Sequence, residues 1–253
     1  MKRIPNWRQQ EIEIATSRCG KLAVVDIADG LLRGDAKFWP APELLQKLTR
    51  SGHQSDFDGP DLAAACSKYG HYSDLQSLRS EDAVTWSVFG TLIYADPAIR
   101  AAYARELLLA LDVPVSDREF DVWLWRRVPH PDTGGHNGPE IDFAIQSEHL
   151  LLLGEAKWGS GIGSAQGVLK DQDQLSLRRL FLESRSSDLF ARQTTLVVLT
   201  VSPDGGLQEQ RDSSLKFGTL HLRDTAWSVV SGLTSHPLAE ELDKYLTWKQ
   251  QFV

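Results

Sequence analysis

Gly138-Pro139-Glu140-Ile141-Asp142-Phe143-Ala144-Ile145, then Leu151-Leu152-Leu153-Gly154-Glu155-Ala156-Lys157-Trp158, are the two runs that decide the reading of this chain. Both are apolar with isolated charges, the pattern of strands that bury at least one face. Placed as an antiparallel hairpin turning at Glu148 and His149, they pair Ser147 with Leu150 and Asp142 with Glu155, because opposed positions keep a constant sum. Opposed residues share a face of the sheet, and strand alternation puts Lys157 on that face too. Two carboxylates and a lysine therefore converge at one end of the hairpin. The turn itself lacks the Asn-Gly or Asp-Gly pair of a two-residue connection.

Working outward, Ser80 reads as an N-cap, followed by Glu81 and Asp82 in the first turn of a helix that runs to about Tyr94. Asp96 and Pro97 open a second helix that reaches Leu111. Phe120 to Arg127 alternates like a strand. Beyond the hairpin the pattern predicts a long helix from Ala165 to about Ser184, then a buried strand over Thr194 to Val201. A further strand is expected over Leu215 to Leu222, and helices over Asp224 to Leu233 and Pro237 to Gln250. Upstream, Glu11 to Ala15 and Leu22 to Ile27 suggest short strands, with short helices over Pro42 to Thr49 and Asp61 to Tyr69. The expected fold class is α/β: a central mixed β-sheet flanked by helices, in residues 80–253, with an N-terminal accessory segment, residues 1–79.

Composition sets the bounds. The chain has 253 residues, 42% hydrophobic and 24% charged, and so belongs with ordinary globular proteins. Its two cysteines, Cys19 and Cys66, are too few for a disulfide framework or a cysteine zinc site. The longest strongly apolar run, Leu150 to Leu153, is far short of the roughly 20 residues that span a bilayer. The basic N-terminus has no apolar signal region, and a cytoplasmic location with no membrane partner is expected. A formal net charge of −7 argues against a coat that binds nucleic acid through broad positive potential. It leaves room for a local basic surface beside a carboxylate site. Candidates for that surface are Arg126 and Arg127 at a strand end, with Lys170, Arg178, Arg179 and Arg185 on the long helix. Lys170, Gln174 and Arg178 fall in line by i, i+4 spacing.

The hairpin cluster suits metal-assisted chemistry. Carboxylate oxygens of Asp142 and Glu155 are the hard ligands that Mg²⁺ takes, with the carbonyl of Ala156 as a further donor. Lys157 would orient or deprotonate a metal-bound water, or stabilise developing charge. The rival feature is the glycine-rich loop, Gly159 to Gly167, placed where a phosphate-binding loop would sit. It lacks the closing Gly-Lys-Ser/Thr of a P-loop, and a nucleotide-binding reading leaves Glu155 and Lys157 unused. His130, His136 and His149 lack a metal-ligand spacing such as His-Glu-x-x-His, and no Gly-x-Ser-x-Gly elbow is present. The eight tryptophans, Trp86 and Trp123 among them, read as core.

Pro139-Glu140-Ile141-Asp142 followed by Glu155-Ala156-Lys157 resembles the PD-(D/E)XK nuclease superfamily, to which many restriction endonucleases belong. The resemblance spans about Ser80 to Val201 and includes the element order helix, three strands, helix, strand. In this chain Pro139 stands three positions before the aspartate rather than next to it. The resemblance implies a restriction-endonuclease-like core and a Mg²⁺-dependent nuclease, with Mn²⁺ as the alternative ion. It places metal ligands at Asp142 and Glu155 and the catalytic lysine at Lys157. It adds a glutamate on the upstream helix at Glu81, with Asp82 its competitor, and a glutamine at Gln174, with Gln172 the alternative. The implied substrate is DNA, with RNA left open, cut by an endonuclease in restriction or defence, either as a homodimer or as a subunit of a larger complex. The alternative is a non-cleaving nucleic-acid-binding or scaffold subunit that keeps the fold.

Overall fold

The structure is a computed structural model describing residues 2–16, 22–49, 74–162, 172–190 and 192–253. Cys19, Cys66, the helix expected over Asp61 to Tyr69, Lys170 and the loop from Gly163 to Gly167 lie outside the described residues. Strands β1 (Lys2–Pro5), β2 (Glu11–Thr16) and β3 (Leu22–Val24) come first, followed by helix α1 (Pro42–Thr49). Helix α2 (Glu81–Thr85) continues through a π-helical turn, Trp86–Gly90, into α3 (Thr91–Ile93), and α4 (Pro97–Ala110) follows. Then come β4 (Asp121–Arg127), β5 (Glu140–Gln146), β6 (Leu150–Ala156), α5 (Gln174–Ser184) and α6 (Ser186–Leu189). The remainder is β7 (Thr195–Ser202), β8 (Arg211–Leu215), β9 (Gly218–Ala226), α7 (Trp227–Ser231) and α8 (Ala239–Gln250).

These elements form two compact units, Met1–Ala95 with Pro237–Val253, and Asp96–His236. The division differs from a boundary at Ser80, because α2, α3 and α8 group with the N-terminal segment. The reason is aromatic and polar packing within that unit. Tyr245 on α8 holds its hydroxyl against the carbonyls of Gly30 and Ala83, at 3.0 and 3.2 Å. Trp7 stacks edge-on against Tyr245 at 5.0 Å, and the Trp248 indole donates to the Pro5 carbonyl at 3.0 Å. Trp86 donates to the carbonyl of Leu32 at 2.8 Å. Strands β1, β2 and β3 form an antiparallel three-stranded sheet in the same unit.

The second unit is a six-stranded mixed sheet, ordered β4-β5-β6-β7-β9-β8 and flanked by helices. Strands β4, β5 and β6 are antiparallel, β6, β7 and β9 run parallel, and β8 returns antiparallel along β9. β7, apolar from Leu196 to Leu199, is central and buried, as a strand covered on both faces must be. Helix α5 lays Leu177, Phe181 and Leu182 on one face, where Phe181 and Leu182 join a core with Leu151, Leu153, Leu196, Val198, Leu220 and Leu222. The edges are β4, which ends in exposed Arg126 and Arg127, and β8, whose Arg211-Asp212-Ser213-Ser214 is mostly exposed.

Three element boundaries differ from the sequence pattern. Helix α5 starts at Gln174, because Asp173 is in extended geometry and its carboxylate accepts the Ser176 N–H; the part of the expected helix from Ala165 to residue 171 lies outside the described residues. The strand expected over Leu215 to Leu222 is a hairpin of β8 and β9. Asp224 lies inside β9 rather than opening a helix: its carboxylate accepts the Thr200 hydroxyl and the amides of Gly206, Leu207 and Gln208.

Candidate functional site

The site is built on the β5–β6 hairpin. Its register is Phe143↔Gly154, Ala144↔Leu153, Ile145↔Leu152 and Gln146↔Leu151, and the Ser147 amide bonds the Leu150 carbonyl at 3.0 Å. Every pair sums as the sequence arithmetic requires, and Asp142 and Glu155 are the next residues beyond the last regular pair, Phe143↔Gly154. The turn closes without glycine because Asp117, thirty residues upstream, braces it. The Asp117 carboxylate accepts the Ser147 hydroxyl, the His149 amide at 2.9 Å and the His149 ring at 2.7 Å. Ser147 thus donates to the aspartate rather than to His149, and the three form a turn brace, not a nucleophile with its base.

Regular pairing stops at Phe143↔Gly154. The alternation of narrow pairs would next join Ile141 and Ala156. Instead the Ala156 amide donates to Asp142 Oδ2 at 2.9 Å, so the aspartate side chain takes the place of a backbone carbonyl. On its other side Asp142 faces Trp125, which takes φ +50° and drops out of the β4–β5 pairing between Leu124↔Phe143 and Arg126↔Ile141. A bulky residue in that region costs on the order of 1–3 kcal/mol. The sheet is therefore distorted on both flanks of Asp142, which is itself half-buried.

Glu155 is fully buried on the α5 face of the sheet, and two cations meet its carboxylate. Lys157 Nζ lies 2.7 Å from Oε1, and the Arg178 guanidinium ion-pairs with Oε2. Oε1 is thus held by a charge-assisted contact with the lysine and Oε2 by the guanidinium. Burial, followed by the Asp142 carboxylate, pushes Glu155 up to about 8 against the opposing pull of Arg178 and Lys157. Lys157 is buried and fixed through its backbone. Its amide donates to the Val201 carbonyl at 2.8 Å, and its carbonyl accepts the Trp227 indole N–H at 2.8 Å.

Arg178 departs from the sequence reading. Grouped there with the basic residues of a phosphate-gripping face, it is instead 1% exposed. Its Nη2 also donates to the Glu140 carbonyl at 2.7 Å, and Nη1 to the Gln174 carbonyl at 2.9 Å. The spacing that carries the signal is local: Arg178 lies three and four residues before Phe181 and Leu182, so it shares their buried face. Of the other basic candidates, Arg126 is exposed over the Trp123 ring, and Arg127 donates to the Gly138 carbonyl at 3.1 Å. Arg185 donates to the Pro131 carbonyl at 2.9 Å.

Asp142, Glu155, Ala156 and Lys157 thus come together, and Arg178 joins them. Gln174 is the first residue of α5 and meets the cluster through its carbonyl, by way of Arg178, while Gln172 precedes the helix. Glu81 belongs to the other unit, in the first turn of α2. Asp82 beside it ion-pairs with Lys47 at 3.1 Å within that unit.

Among the described residues no group of three or more His, Cys, Asp or Glu side chains is gathered as a metal cage. Mg²⁺ does not require one, since it usually binds through one or two carboxylates plus water and substrate phosphate. The donor set fits that use in kind: two carboxylates where the regular β5–β6 pairing stops, and the Ala156 carbonyl between Glu155 and Lys157. No family model, no curated protein and no solved structure matches the chain. No helix among the described residues is long and apolar enough to cross a membrane.

Proposed function

We propose that the Asp96–His236 unit is a metal-dependent nuclease that hydrolyses phosphodiester bonds, with DNA as substrate and cleavage within the strand, in the restriction or defence role that the superfamily resemblance suggests. The observation that carries the reading is the two carboxylates of Asp142 and Glu155 just beyond the last regular pair of an otherwise apolar hairpin, with Lys157 against Glu155. A structural ion pair needs neither the second carboxylate nor a broken ladder around it.

Asp142, Glu155 and the Ala156 carbonyl would hold Mg²⁺, or Mn²⁺ in its place. The bound ion would supply charge neutralisation at the phosphoryl oxygen and a water of lowered pKa. Lys157, pinned through its amide and carbonyl, would orient an attacking water as a donor, and its ammonium charge would offset that of the phosphate. Gln174 is proposed as an accessory group on the resemblance alone.

The test is cleavage of linear, circular and single-stranded DNA with Mg²⁺, Mn²⁺ or EDTA, comparing wild type with Asp142→Ala and Lys157→Ala. Metal-dependent cutting lost in both variants supports the reading. Cutting that persists in both sinks it. The second reading, a non-cleaving nucleic-acid-binding or scaffold subunit, draws on the closed ion pairing of Glu155 with Lys157 and Arg178. Tight DNA binding with no cutting by any form would favour it.

A further inference from the structure

Successive residues of a helix point about 100° apart, so the neighbours Arg178 and Arg179 of α5 serve different surroundings. Arg178 goes to Glu155, while Arg179 lines a cleft between the start of α5, the loop after β7 and the start of β8. The cleft holds about 320 Å³, at the small end of the range of about 300–1,000 Å³ that ligand pockets take. Its second cation is Arg211, the first residue of β8. Among the described residues neither guanidinium donates a hydrogen bond. Arg179 has an ionic contact with Glu183 at 3.6 Å, too long for a hydrogen bond, and its Nε is buried without an acceptor. Arg211 is exposed. Two carboxylates share the lining, and Asp173 is already spent. Its Oδ1 accepts the Ser176 amide at 2.7 Å and its Oδ2 the Ser176 hydroxyl at 3.1 Å. Glu209 stands exposed to solvent, where its charge is screened. Open donors therefore outnumber open acceptors, which suits an anion with several oxygens.

The cleft and Glu155 lie on one face of the sheet. Leu222, which lines the cleft, is in register with Val198 and Leu153, and Glu155 is the next residue of β6 on the same face. Two strand spacings across and one side-chain repeat along give a separation of roughly 12 Å. A nucleic-acid strand carries a phosphate about every 3.4 Å along its axis, so a strand cut beside Asp142 and Glu155 has other phosphates at this reach. We infer that Arg179 and Arg211 form a second backbone-phosphate subsite, which grips DNA a few nucleotides from the bond to be cut. This rests on the proposed DNA substrate. The two planar forks match phosphate oxygens, and a phosphate contact fixes the register of the strand without reading its bases.

The experiment follows binding of labelled duplex and single-stranded DNA to the full chain by fluorescence anisotropy, in EDTA and across a salt series. Arg179→Gln and Arg211→Gln should each weaken binding by about three- to tenfold and lower the slope of log affinity against log salt by about 1, and the double variant should lower it by about 2. Arg105→Gln takes the same charge from an exposed position on α4, outside the cleft, and should leave the slope as it is in wild type. Slopes unchanged in both cleft variants overturn the inference, as do slopes lowered equally by Arg105→Gln or a wild type that binds no DNA. Pyrophosphate binding lost in Arg179→Gln while the DNA slopes hold would also overturn it, by assigning the cleft to a free phosphate compound. Failure of the nuclease reading has a separate signature. Wild type would then bind DNA with the expected slopes yet cut with no metal, and the subsite would stand in a non-cleaving protein.

Discussion

The ring of Phe143 lies directly on Gly154, in the space where any other residue would carry its Cβ. The two are opposed across the β5–β6 ladder, one position from Asp142 and Glu155 respectively. The glycine before Glu155 is thus a packing requirement: with an aromatic ring lying on its backbone, the strand continues straight to the site.

Gly154→Ala should destabilise the second unit by about 1–3 kcal/mol, the range for overpacking a well-filled core. Urea unfolding would measure it. The double variant Gly154→Ala with Phe143→Leu should lose less than the sum of the two single losses, because the leucine vacates the space that the methyl needs. Strict additivity would show that the ring is not the obstacle.

Trp227→Phe keeps an aromatic body against Trp158, at 6.1 Å in the parent, but removes the indole donor to the Lys157 carbonyl. A buried carbonyl left without its partner costs about 1–3 kcal/mol. Under the proposed nuclease function, DNA cleavage should slow by about tenfold, while DNA binding stays within twofold, because only the positioning of Lys157 has changed. Single-turnover kinetics beside a binding isotherm would separate the two. Equal losses in both would mean that Trp227 acts on the fold as a whole.

The brace at the hairpin turn makes stability depend on pH. For Asp117, burial works against ionisation, but hydrogen bonds from His149 and Ser147 outweigh it and hold the carboxyl below its usual value. His149 is raised by the hydrogen bond it donates to Asp117, against the opposing effect of desolvation. The aspartate's contribution is present above its unfolded pKa near 3.9 and fades as pH falls through the lower folded value. The histidine's contribution is complete below about 6.5 and fades as pH rises through the higher folded value. Wild type should therefore exceed Asp117→Asn most between about pH 4 and 6.5, with a smaller margin at pH 8. Urea midpoints at pH 5 and pH 8 would show the difference, and an equal margin at both would refute it.

Lys249, in the first unit, is buried, donates to the Ser77 carbonyl at 3.1 Å, and is pushed down to about 7 by desolvation. The unfolded chain holds that proton up to about pH 10.4, so between pH 7 and 10.4 it binds more protons than the folded chain. Stability from this group accordingly rises with pH across that window and is lowest below pH 7. Lys249→Met should raise the melting temperature at pH 7 and remove that slope, by calorimetry from pH 6 to 10. A lower melting temperature at every pH would show that the bond to Ser77 outweighs the burial of the charge.

The hairpin register was legible because it follows from alternation and a constant sum, which depend on nothing outside the two strands. What closes the turn was not, since Asp117 lies thirty residues away and no local pattern marks it. Arg178 was misread for a related reason. The i, i+4 spacing with Gln174 suggested a polar helix face, whereas its own spacing to Phe181 and Leu182 marks the buried one. Strand β8 escaped because Arg211-Asp212-Ser213-Ser214 carries no apolar alternation, as suits an edge strand with little to bury. Asp224, expected as the first residue of a helix, is a strand residue. Its carboxylate caps a loop instead, gathering the amides of residues 206, 207 and 208.

The two outer strands of the large sheet have a meaning beyond folding. An unpaired strand edge is a template on which another chain can add, and apolar edges invite that growth. Here β4 finishes on two exposed guanidinium groups, and β8 presents charge and hydroxyls. The protein can keep a core as apolar as Leu150 to Leu153 in its middle strand and still deny a second copy a greasy border on which to extend the sheet. Charge at these margins opposes fibrous self-assembly, and neutralising Arg126 and Arg127 is where that protection would first be lost.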